Sequence, residues 1–477
     1  MKLDPDSCYR ALATHDARFD GRFFVGVRTT RIYCRPVCAV RLPRRENCRF
    51  FRSAAAAEVE GFRPCLRCRP ELAPGLAIVD ASAQFAQAAV RLIEDGVFDA
   101  GGIEALAARI GVTSRHLRRV FEAAFGVSPI EYAQTQRLLL AKRLLTDTSL
   151  PVLDVALASG FRSLRRFNAL FRQRYRMPPS RLRHDAAPET LPSSMHFELA
   201  YRPPYDWDSL LAFLAARAVA GVESVEAGSY RRTLAIERSG ALVSGWIAVA
   251  KSPKRHTLRV NVAASLAPAV PAVLARVRHA FDLACDPAPI ATRLGTLAAR
   301  RPGLRVPGSC DGFELAVRAV VGQQVSVAAA RTLLGRLVRA FGAPVAYPDA
   351  EGLTHTFPRA DALAAQAIED LRAVGLTAAR ARTLQKLAEA VAAGTLPLEA
   401  GGDVERTRAA LEAIPGIGPW TSGYIAMRAL GWPDAFPVND LVVMRAMGET
   451  RAARAIARSE AWRPWRAYAV MHMWRAA

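Results

Sequence analysis

Beyond a stretch at Pro70–Gly75 that reads as a linker, apolar residues recur at helical spacing from about Ala81 to His184. They then alternate with polar ones from about Met195 to Asp286, and return to helical spacing for the rest of the chain. The first of these segments holds an imperfect repeat, in which Gly111 recurs as Gly160, Phe121 as Phe171, Phe125 as Tyr175 and Pro129 as Pro179. Each copy reads as an apolar helix, a tight turn at Gly111-Val112 or Gly160-Phe161, and a second helix opened by Thr113 or Ser163, whose hydroxyls can accept from the first helical amides. This is the pattern of two tandem helix-turn-helix units. A polar, Pro-containing linker spans His184–Ser194. In the alternating segment, Thr233–Glu237, Leu242–Ala250 and Leu258–Val262 predict strands, and Trp207–Ala218 and Pro268–Phe281 predict helices, so an antiparallel α/β lobe is expected.

The last segment is helical, and its sharpest break is Ile414-Pro415-Gly416-Ile417-Gly418-Pro419-Trp420. Glycines let the backbone approach closely, and exposed amides ahead of a helix amino terminus make a phosphate clamp; a helix end capped by glycine produces a similar string. About twenty residues later, Ala435-Phe436-Pro437-Val438-Asn439-Asp440-Leu441 places an aspartate after a proline turn and before a helix. Taken by itself, Asp440 reads equally as an N-cap or as a functional carboxylate.

Charge narrows the partner. Lys plus Arg number 65 against 43 Asp plus Glu, a formal net charge of +22 with a pI near 10.5. Phosphate is the economical counterpart, although an arginine-biased, alanine-rich composition supplies part of the excess. The second helices of the repeat carry Arg115, His116, Arg118 and Arg119 in one copy and Arg162, Arg165, Arg166 and Asn168 in the other, as suits helices laid in a major groove. A chain of 477 residues has room for three or four domains. No apolar run approaches the roughly twenty residues that span a bilayer, and Met1–Tyr9 does not read as a signal peptide, so a cytoplasmic protein with no membrane partner is expected.

Four of the eight cysteines fall in Cys34-Arg-Pro-Val-Cys38 and Cys65-Leu-Arg-Cys68, the spacing of two metal knuckles. Four thiolates suit Zn2+, and Arg31, Arg35, Arg63, Arg67 and Arg69 set the cluster among guanidinium groups. Two readings stand: a structural zinc site, or a site in which one thiolate is a nucleophile. Cys8, Cys48, Cys285 and Cys310 show no pairing pattern, which fits a reducing compartment.

The stretches from Asp20 to Pro36 and from Gly61 to Cys68 closely resemble the amino-terminal domain of the Ada alkylation-response proteins. The resemblance implies that Cys34 irreversibly accepts a methyl group from a methylated DNA phosphate, while Cys38, Cys65 and Cys68 hold the zinc with it. A zinc held by four thiolates carries two net negative charges, and methylation removes one, so the methylated form repels phosphate less. The run from Ala156 to Arg172 resembles the signature of AraC-type transcription activators, which implies groove contacts by Arg115, Arg118, Arg165 and Arg166. Arg176 stands where that signature has glycine, and the last turn is expected to differ.

The hairpin followed by a proline turn and aspartate resembles the helix-hairpin-helix base-excision glycosylases. From Met195 to Trp474 the chain resembles the AlkA-like 3-methyladenine glycosylases, through Pro203–Trp207, Phe213–Val219, Arg301–Gly308 and Trp462–Ala469. The resemblance implies that Asp440 steadies an oxocarbenium-like sugar and directs water onto it, that Trp420, Tyr424 and Trp474 wall a pocket for a cationic base, and that Gly416 and Gly418 meet DNA. In Val321–Ser326, Gln324 stands where an apolar wedge can occur, so weaker wedging is expected. Trp420 replaces the lysine of strand-cutting relatives, implying hydrolysis without lyase chemistry. No Pro-Cys-His-Arg motif is present, so a guanine-repairing methyltransferase domain is not expected.

The expectation is therefore a multidomain α+β protein: a small zinc-binding domain (1–78), an all-α tandem helix-turn-helix domain (79–187), an antiparallel α/β lobe (195–286) and an all-α helix-hairpin-helix glycosylase domain (287–477). Its expected partners are double-stranded DNA, both alkylated and promoter DNA, and RNA polymerase, with the protein acting as a monomer. The competing reading is a non-enzymatic regulator that only binds alkylated DNA.

Overall fold

Four short strands open the chain: β1 (Phe24–Val27), β2 (Ile32–Cys34), β3 (Cys48–Phe51) and β4 (Arg63–Pro64), in the order β3-β1-β2-β4. The pairings are antiparallel except β2 with β4, and the parallel contact brings the segment before Cys65 alongside Tyr33. The computed structural model describes residues 4–74, 81–94, 97–148, 150–182, 193–238, 241–347 and 350–476. They divide into two compact units, one of Met1–Pro203, Ser252–Ala275 and Leu283–Asp286, the other of Pro204–Lys251, Arg276–Asp282 and Pro287–Ala477.

In the first unit, α1 (Pro5–Ala13) packs on β3, and α2 (Ala54–Val59), N-capped by Ser53, lies against β1, β3 and β4. The helical repeat follows as α3 (Ala81–Glu94), α4 (Val97–Ile110), α5 (Ser114–Phe125), α6 (Pro129–Asp147), α7 (Val152–Ala158) and α8 (Leu164–Tyr175). Both expected turns are present. Gly111 and Gly160 sit at φ 80° and 84°, where a Cβ is disfavoured, and the hydroxyls of Thr113 and Ser163 accept from His116 N and Arg166 N at 3.2 and 3.3 Å.

The last turn does not differ as Arg176 suggested. Arg176 adopts φ 57°, ψ 29° beside the 74°, 11° of Gly126 in the first copy, and its amide donates to Arg172 O at 2.9 Å, as Gly126 N does to Glu122 O at 2.8 Å. A left-handed arginine costs about 1 kcal/mol, which the closed helix end offsets. The copies diverge after it. Pro129 opens a helix of 19 residues with a Ser128–Glu131 capping box, whereas Pro179 opens only the 3-10 turn Pro179–Leu182.

The stretch at Pro70–Gly75 is more than a linker. Pro70–Leu72 forms a 3-10 turn, and the buried Glu71 carboxylate accepts from Lys142 Nζ of α6 at 2.6 Å, while Arg69 joins Asp147 at 2.7 Å. Most of the expected linker at His184–Ser194 lies outside the described residues. A second seam runs through α2, where Ser53 Oγ donates to Phe125 O at 2.8 Å and Ala55 enters the core of α3–α5. At its centre Glu58, 2 % exposed, accepts from Tyr33 Oη at 3.0 Å and from Thr135 Oγ1 at 3.3 Å, and its carbonyl accepts from Arg174 Nη1 at 3.0 Å.

Strand β5 (Ser194–Ala200) closes that part of the chain, and Arg143 Nη2 of α6 donates to Glu198 O at 2.6 Å. In the second unit, α9 (Trp207–Ala215) precedes an antiparallel meander of β6 (Glu223–Glu226), β7 (Ser229–Arg238) and β8 (Ala241–Lys251). Strand β9 (Thr257–Ala263) pairs antiparallel with β5 within the first unit. The helix expected at Trp207–Ala218 ends at Ala215, and the one at Pro268–Phe281 begins as a 3-10 turn and continues as α10 (Val270–Ala280).

The remaining helices belong to the second unit: α11 (Pro287–Leu294), α12 (Thr296–Ala299), α13 (Gly312–Val321), α14 (Val327–Phe341), α15 (Ala360–Ala364), α16 (Ile368–Ala373), α17 (Ala378–Ala392), α18 (Val404–Glu412), α19 (Pro419–Arg428), α20 (Leu441–Met447), α21 (Ala452–Ser459) and α22 (Arg466–Ala476). Residues of α13, α14, α17 and α19 form one apolar core around Val317, Val320, Leu384 and Ile425. Helix α13 is tied to the meander by buried charges: Arg232 joins Glu314 at 2.5 Å, and Arg318 joins both Glu314 at 2.5 Å and Glu223 at 2.6 Å. Burial pushes the Glu223 carboxyl up, but Arg318 and Arg232 outweigh it and hold it down at about 2.

Glu58 has the opposite balance. Burial dominates over its hydroxyl partners, Arg174 and Lys142 and raises its carboxyl to about 7 from an ordinary 4.5. A raised carboxyl favours the folded state below pH 4.5 and loses that contribution as pH rises through 7, a change of about 3 kcal/mol. Glu58→Gln lacks this titration. Its stability relative to the parent should therefore rise by about 3 kcal/mol between pH 4.5 and pH 8, read as the difference between urea melts of the two zinc-loaded proteins.

Candidate active site and metal centre

Cys34 is the last residue of β2, Cys38 follows in a turn closed by Cys38 N donating to Arg35 O at 3.2 Å, and Cys65 N donates to Tyr33 O at 3.0 Å. Strand pairing and one turn thus bring both knuckles together, and all four sulfurs of Cys34, Cys38, Cys65 and Cys68 lie within 4.8 Å of one another. A tetrahedron with zinc–sulfur bonds of about 2.3 Å has edges of about 3.8 Å, so the donor set fits zinc in number, type and spacing. Arg35 N donates to Cys68 Sγ at 3.4 Å, and the Arg35 guanidinium is held by the buried Asp20, with Nε–Oδ1 at 2.9 Å. Of the five surrounding arginines, Arg31 stacks over Phe62 at 4.7 Å and Arg69 is paired, while Arg63 and Arg67 make no ion pair among the described residues.

On the helix-turn-helix units, Arg115, Arg118, Arg165 and Arg166 are exposed and make no ion pair among the described residues, which leaves their charges to a ligand. Leu117 and Phe121 anchor α5 from its other side, and Phe167 and Phe171 anchor α8. No helix among the described residues is long and apolar enough to cross a membrane.

In the second unit, the hairpin joins α18 to α19. Gly416 has φ 95°, and a Cβ there would strike the Thr383 hydroxyl, which donates to Pro415 O at 2.7 Å. Gly418 has φ −100° and open space at the Cβ position. The two glycines therefore differ: the first is required by the fold, and the second leaves room beside it. Both are exposed, and their amides donate to nothing among the described residues, so two N–H groups stand free ahead of α19.

Asp440 N-caps α20, with Oδ1 accepting from Val443 N at 2.9 Å. The N-cap role and the pocket position coincide, because Trp474 Nε1 also donates to Oδ1, at 3.1 Å, and Trp420 Nε1 donates to Oδ2, at 2.9 Å. No cation pairs with this carboxylate among the described residues. Trp420 stacks on Tyr424 with centroids 5.4 Å apart and planes 11° apart, and Trp474 lies 6.0 Å from Tyr424. All four residues named for this pocket are together. Arg428 Nη1 donates to Tyr424 Oη at 2.6 Å; burial would raise the phenol, but Arg428 and Arg217 outweigh it and hold it below its ordinary value.

Gln324 is exposed at φ 53° in the loop between α13 and α14. Three residues that supply contacts here escaped the sequence reading. Gln323 joins this loop to the hairpin, Thr383 supports the hairpin, and Arg428 orients Tyr424. Gln323 sits in the same motif as Gln324 and was the one within reach of inspection; the others act across long sequence separations.

Four family models match parts of the chain. Residues 7–71 match the metal binding domain of Ada, 106–185 a helix-turn-helix domain, 196–311 the AlkA N-terminal domain, and 317–466 the HhH-GPD superfamily of base excision DNA repair proteins. A four-cysteine site, paired helix-turn-helix units and a hairpin followed by an aspartate in one chain define a DNA-directed regulator–repair fusion. The chain belongs to the family of the probable bifunctional transcriptional activator/DNA repair enzyme AlkA of Mycobacterium tuberculosis, to which it is 42% identical over 99% of its own length and 97% of the relative's. It is also similar to DNA-3-methyladenine glycosylase 2 of Escherichia coli (40% identity, 58% of this chain, 96% of that one) and to the bifunctional transcriptional activator/DNA repair enzyme AdaA of Bacillus subtilis (30%, 37% and 82%).

Gly416→Ala should lower stability by about 2 kcal/mol or more, through left-handed strain and the clash with Thr383, whereas Gly418→Ala should change it by less than about 0.5 kcal/mol. Thermal melts of the two variants, compared with the parent, check this contrast.

Proposed function

We propose that this protein is an alkylation-damage response protein. Its glycosylase part excises alkylated purines of the 3-methyladenine type by hydrolysing the N-glycosidic bond, and the zinc and helix-turn-helix parts sense methylphosphotriesters and regulate transcription. The carrying observation is the Asp440 carboxylate, fixed by two indole N–H groups and one backbone N–H at the edge of an aromatic pocket. The four-part division at 1–78, 79–187, 195–286 and 287–477 is the functional division of the chain.

A purine methylated at N3 or N7 is cationic and leaves readily, so the enzyme has mainly to hold the base and stabilise the sugar. The base lies against Trp420, Tyr424 and Trp474, whose electron-rich faces attract a cation. As the C1′–N bond breaks, its electron pair leaves with the base and neutralises it, and positive charge develops on the sugar. Asp440 stabilises that charge without competition from a protein cation. Water forms the new C1′–O bond, and the proton it loses passes to Asp440 and on to solvent. The free amides of Gly416 and Gly418 hold a neighbouring phosphate.

No amine stands at the Trp420 position, and Lys386, the nearest lysine in sequence, is exposed and paired with Glu389 at 3.0 Å, which supports hydrolysis without Schiff-base chemistry. Asp440→Asn should lower base release at least about a hundredfold, a loss of at least about 2.7 kcal/mol, with DNA binding nearly unchanged. Release of 3-methyladenine at the parental rate by the Asn variant would refute the role, and a borohydride-trapped adduct formed in step with release would refute the water mechanism.

At the metal centre, Cys34, Cys38, Cys65 and Cys68 would hold a zinc ion, which would keep them as thiolates. Cys34 Sγ attacks the methyl carbon of a phosphotriester, forming an S–C bond as the C–O bond breaks, and the phosphate leaves as a diester anion. The cluster loses one negative charge and its repulsion from DNA falls. Two groove-reading helix pairs in one chain support action as a monomer on promoter DNA, with RNA polymerase as a further partner, and the absence of disulfides among the eight cysteines supports a cytoplasmic setting. Incubation with methylated DNA should add one methyl group per molecule, on the Cys34 peptide by mass spectrometry. A methyl group on Cys38, Cys65 or Cys68, or on none of the four, would overturn the assignment.

A further inference from the structure

One side chain joins the hairpin to the loop between α13 and α14. Gln323 Nε2 donates to Gly416 O at 2.9 Å and to Thr421 Oγ1 at 2.9 Å, which uses both side-chain N–H groups, and the backbone carbonyl of Gln323 accepts from the Arg380 guanidinium of α17. The loop is short and held at both ends. Arg318 and Glu314 bind α13 into the buried charge network, and Ser326 Oγ caps α14 by accepting from Ala329 N at 3.1 Å. Its neighbour Gln324 is the opposite case. Gln324 is exposed, left-handed at φ 53°, and makes no hydrogen bond among the described residues. A left-handed non-glycine residue costs about 1 kcal/mol and persists where the surroundings over-determine it. A free amide is thus presented from a fixed loop next to the hairpin.

We propose that Gln324 reads the base left without a partner when the damaged purine leaves the duplex, and that Gln323 is the positioning residue that fixes it relative to the phosphate-holding hairpin. This rests on the glycosylase reading above. Extrusion of a nucleotide leaves a gap and, across it, a base with an unpaired Watson–Crick edge. An apolar side chain in the gap is indifferent to that edge. The glutamine amide offers donors and an acceptor, and both pyrimidine partners present a donor beside an acceptor: N3–H and the carbonyls of thymine, N4–H2 and N3 of cytosine. Gln324 can therefore serve opposite alkylated adenine and opposite alkylated guanine alike, and the enzyme acquires a dependence on hydrogen bonding by the opposite base.

The test uses the full-length zinc-loaded protein and duplexes with one 7-methylguanine opposite either thymine or difluorotoluene, which has the shape of thymine without its hydrogen bonds. The difluorotoluene duplex also opens more easily, but this acts equally on every variant, so the thymine-to-difluorotoluene ratio of kcat/KM is compared between proteins. With two hydrogen bonds of about 1 kcal/mol each at most partly formed, the parental ratio should exceed that of Gln324→Leu by roughly tenfold. Gln324→Met should match Leu. Gln323→Met keeps the length and removes both donors; it should lose the same discrimination while its melting temperature stays near the parent's, which a purely structural role would not produce. Base release with equal ratios in the parent and both Gln324 variants overturns the inference and leaves the glycosylase reading standing. A parental protein that releases no base from either duplex overturns both.

Discussion

Three N–H groups converge on the carboxylate of Asp440, and they come from three separate segments of the chain. Val443 supplies the opening amide of α20, Trp420 an indole from the start of α19, and Trp474 an indole from near the end of α22. A buried carboxylate without such partners would be costly, and two half-buried indole N–H groups without an acceptor would add a smaller cost. Each group resolves the desolvation of the others. The same three bonds therefore cap a helix and fix two of the three neighbouring aromatic rings against one carboxylate, so that the candidate site and its supporting fold are one object.

Buried charge organises both units in the same way. In the first, Glu71 of the 3-10 turn meets Lys142 of α6, Glu58 of α2 accepts from Tyr33 of β2 and from Thr135 of α6, and Arg174 carries the connection to α8. In the second, Arg232, Arg318, Glu223 and Glu314 bind α13 to the meander. Such groups add little net stability over well-packed apolar residues, but a misplaced partner leaves an unpaired buried charge, so they define one arrangement sharply. In both units they lie where geometry matters: behind Cys34, whose neighbour Tyr33 is in the seam, and behind the loop that carries Gln323 and Gln324.

Local signals were legible wherever a residue acts within a few positions of itself. The two turn glycines, the Thr113 and Ser163 caps, the strands of the meander and the knuckle cysteines all follow from short-range sterics and hydrogen bonding that a string of residues displays directly. Arg176 shows the limit of such rules. A missing glycine suggested a different turn, yet the backbone kept the left-handed conformation, because closure of the helix end outweighs about 1 kcal/mol of strain. Pro70–Leu72 shows another: a segment that reads as a linker is tied through Glu71 to Lys142, some seventy residues away.

By itself, the sequence determined the kinds of chemistry available: four thiolates at metal spacing, two basic helices, a glycine hairpin, and an aspartate followed by a helix. It also carried the family, since those motifs keep their order and spacing along the chain. Only the tertiary structure decided that Asp440 is cap and pocket carboxylate together, that Gly416 is demanded by Thr383 while Gly418 is not, and that Gln323 is spent on the hairpin while Gln324 is free. The reason is physical. Composition and spacing report what a side chain can donate or accept, but which partner it meets depends on chain segments far apart in sequence, and that pairing is settled by the packing of the whole unit.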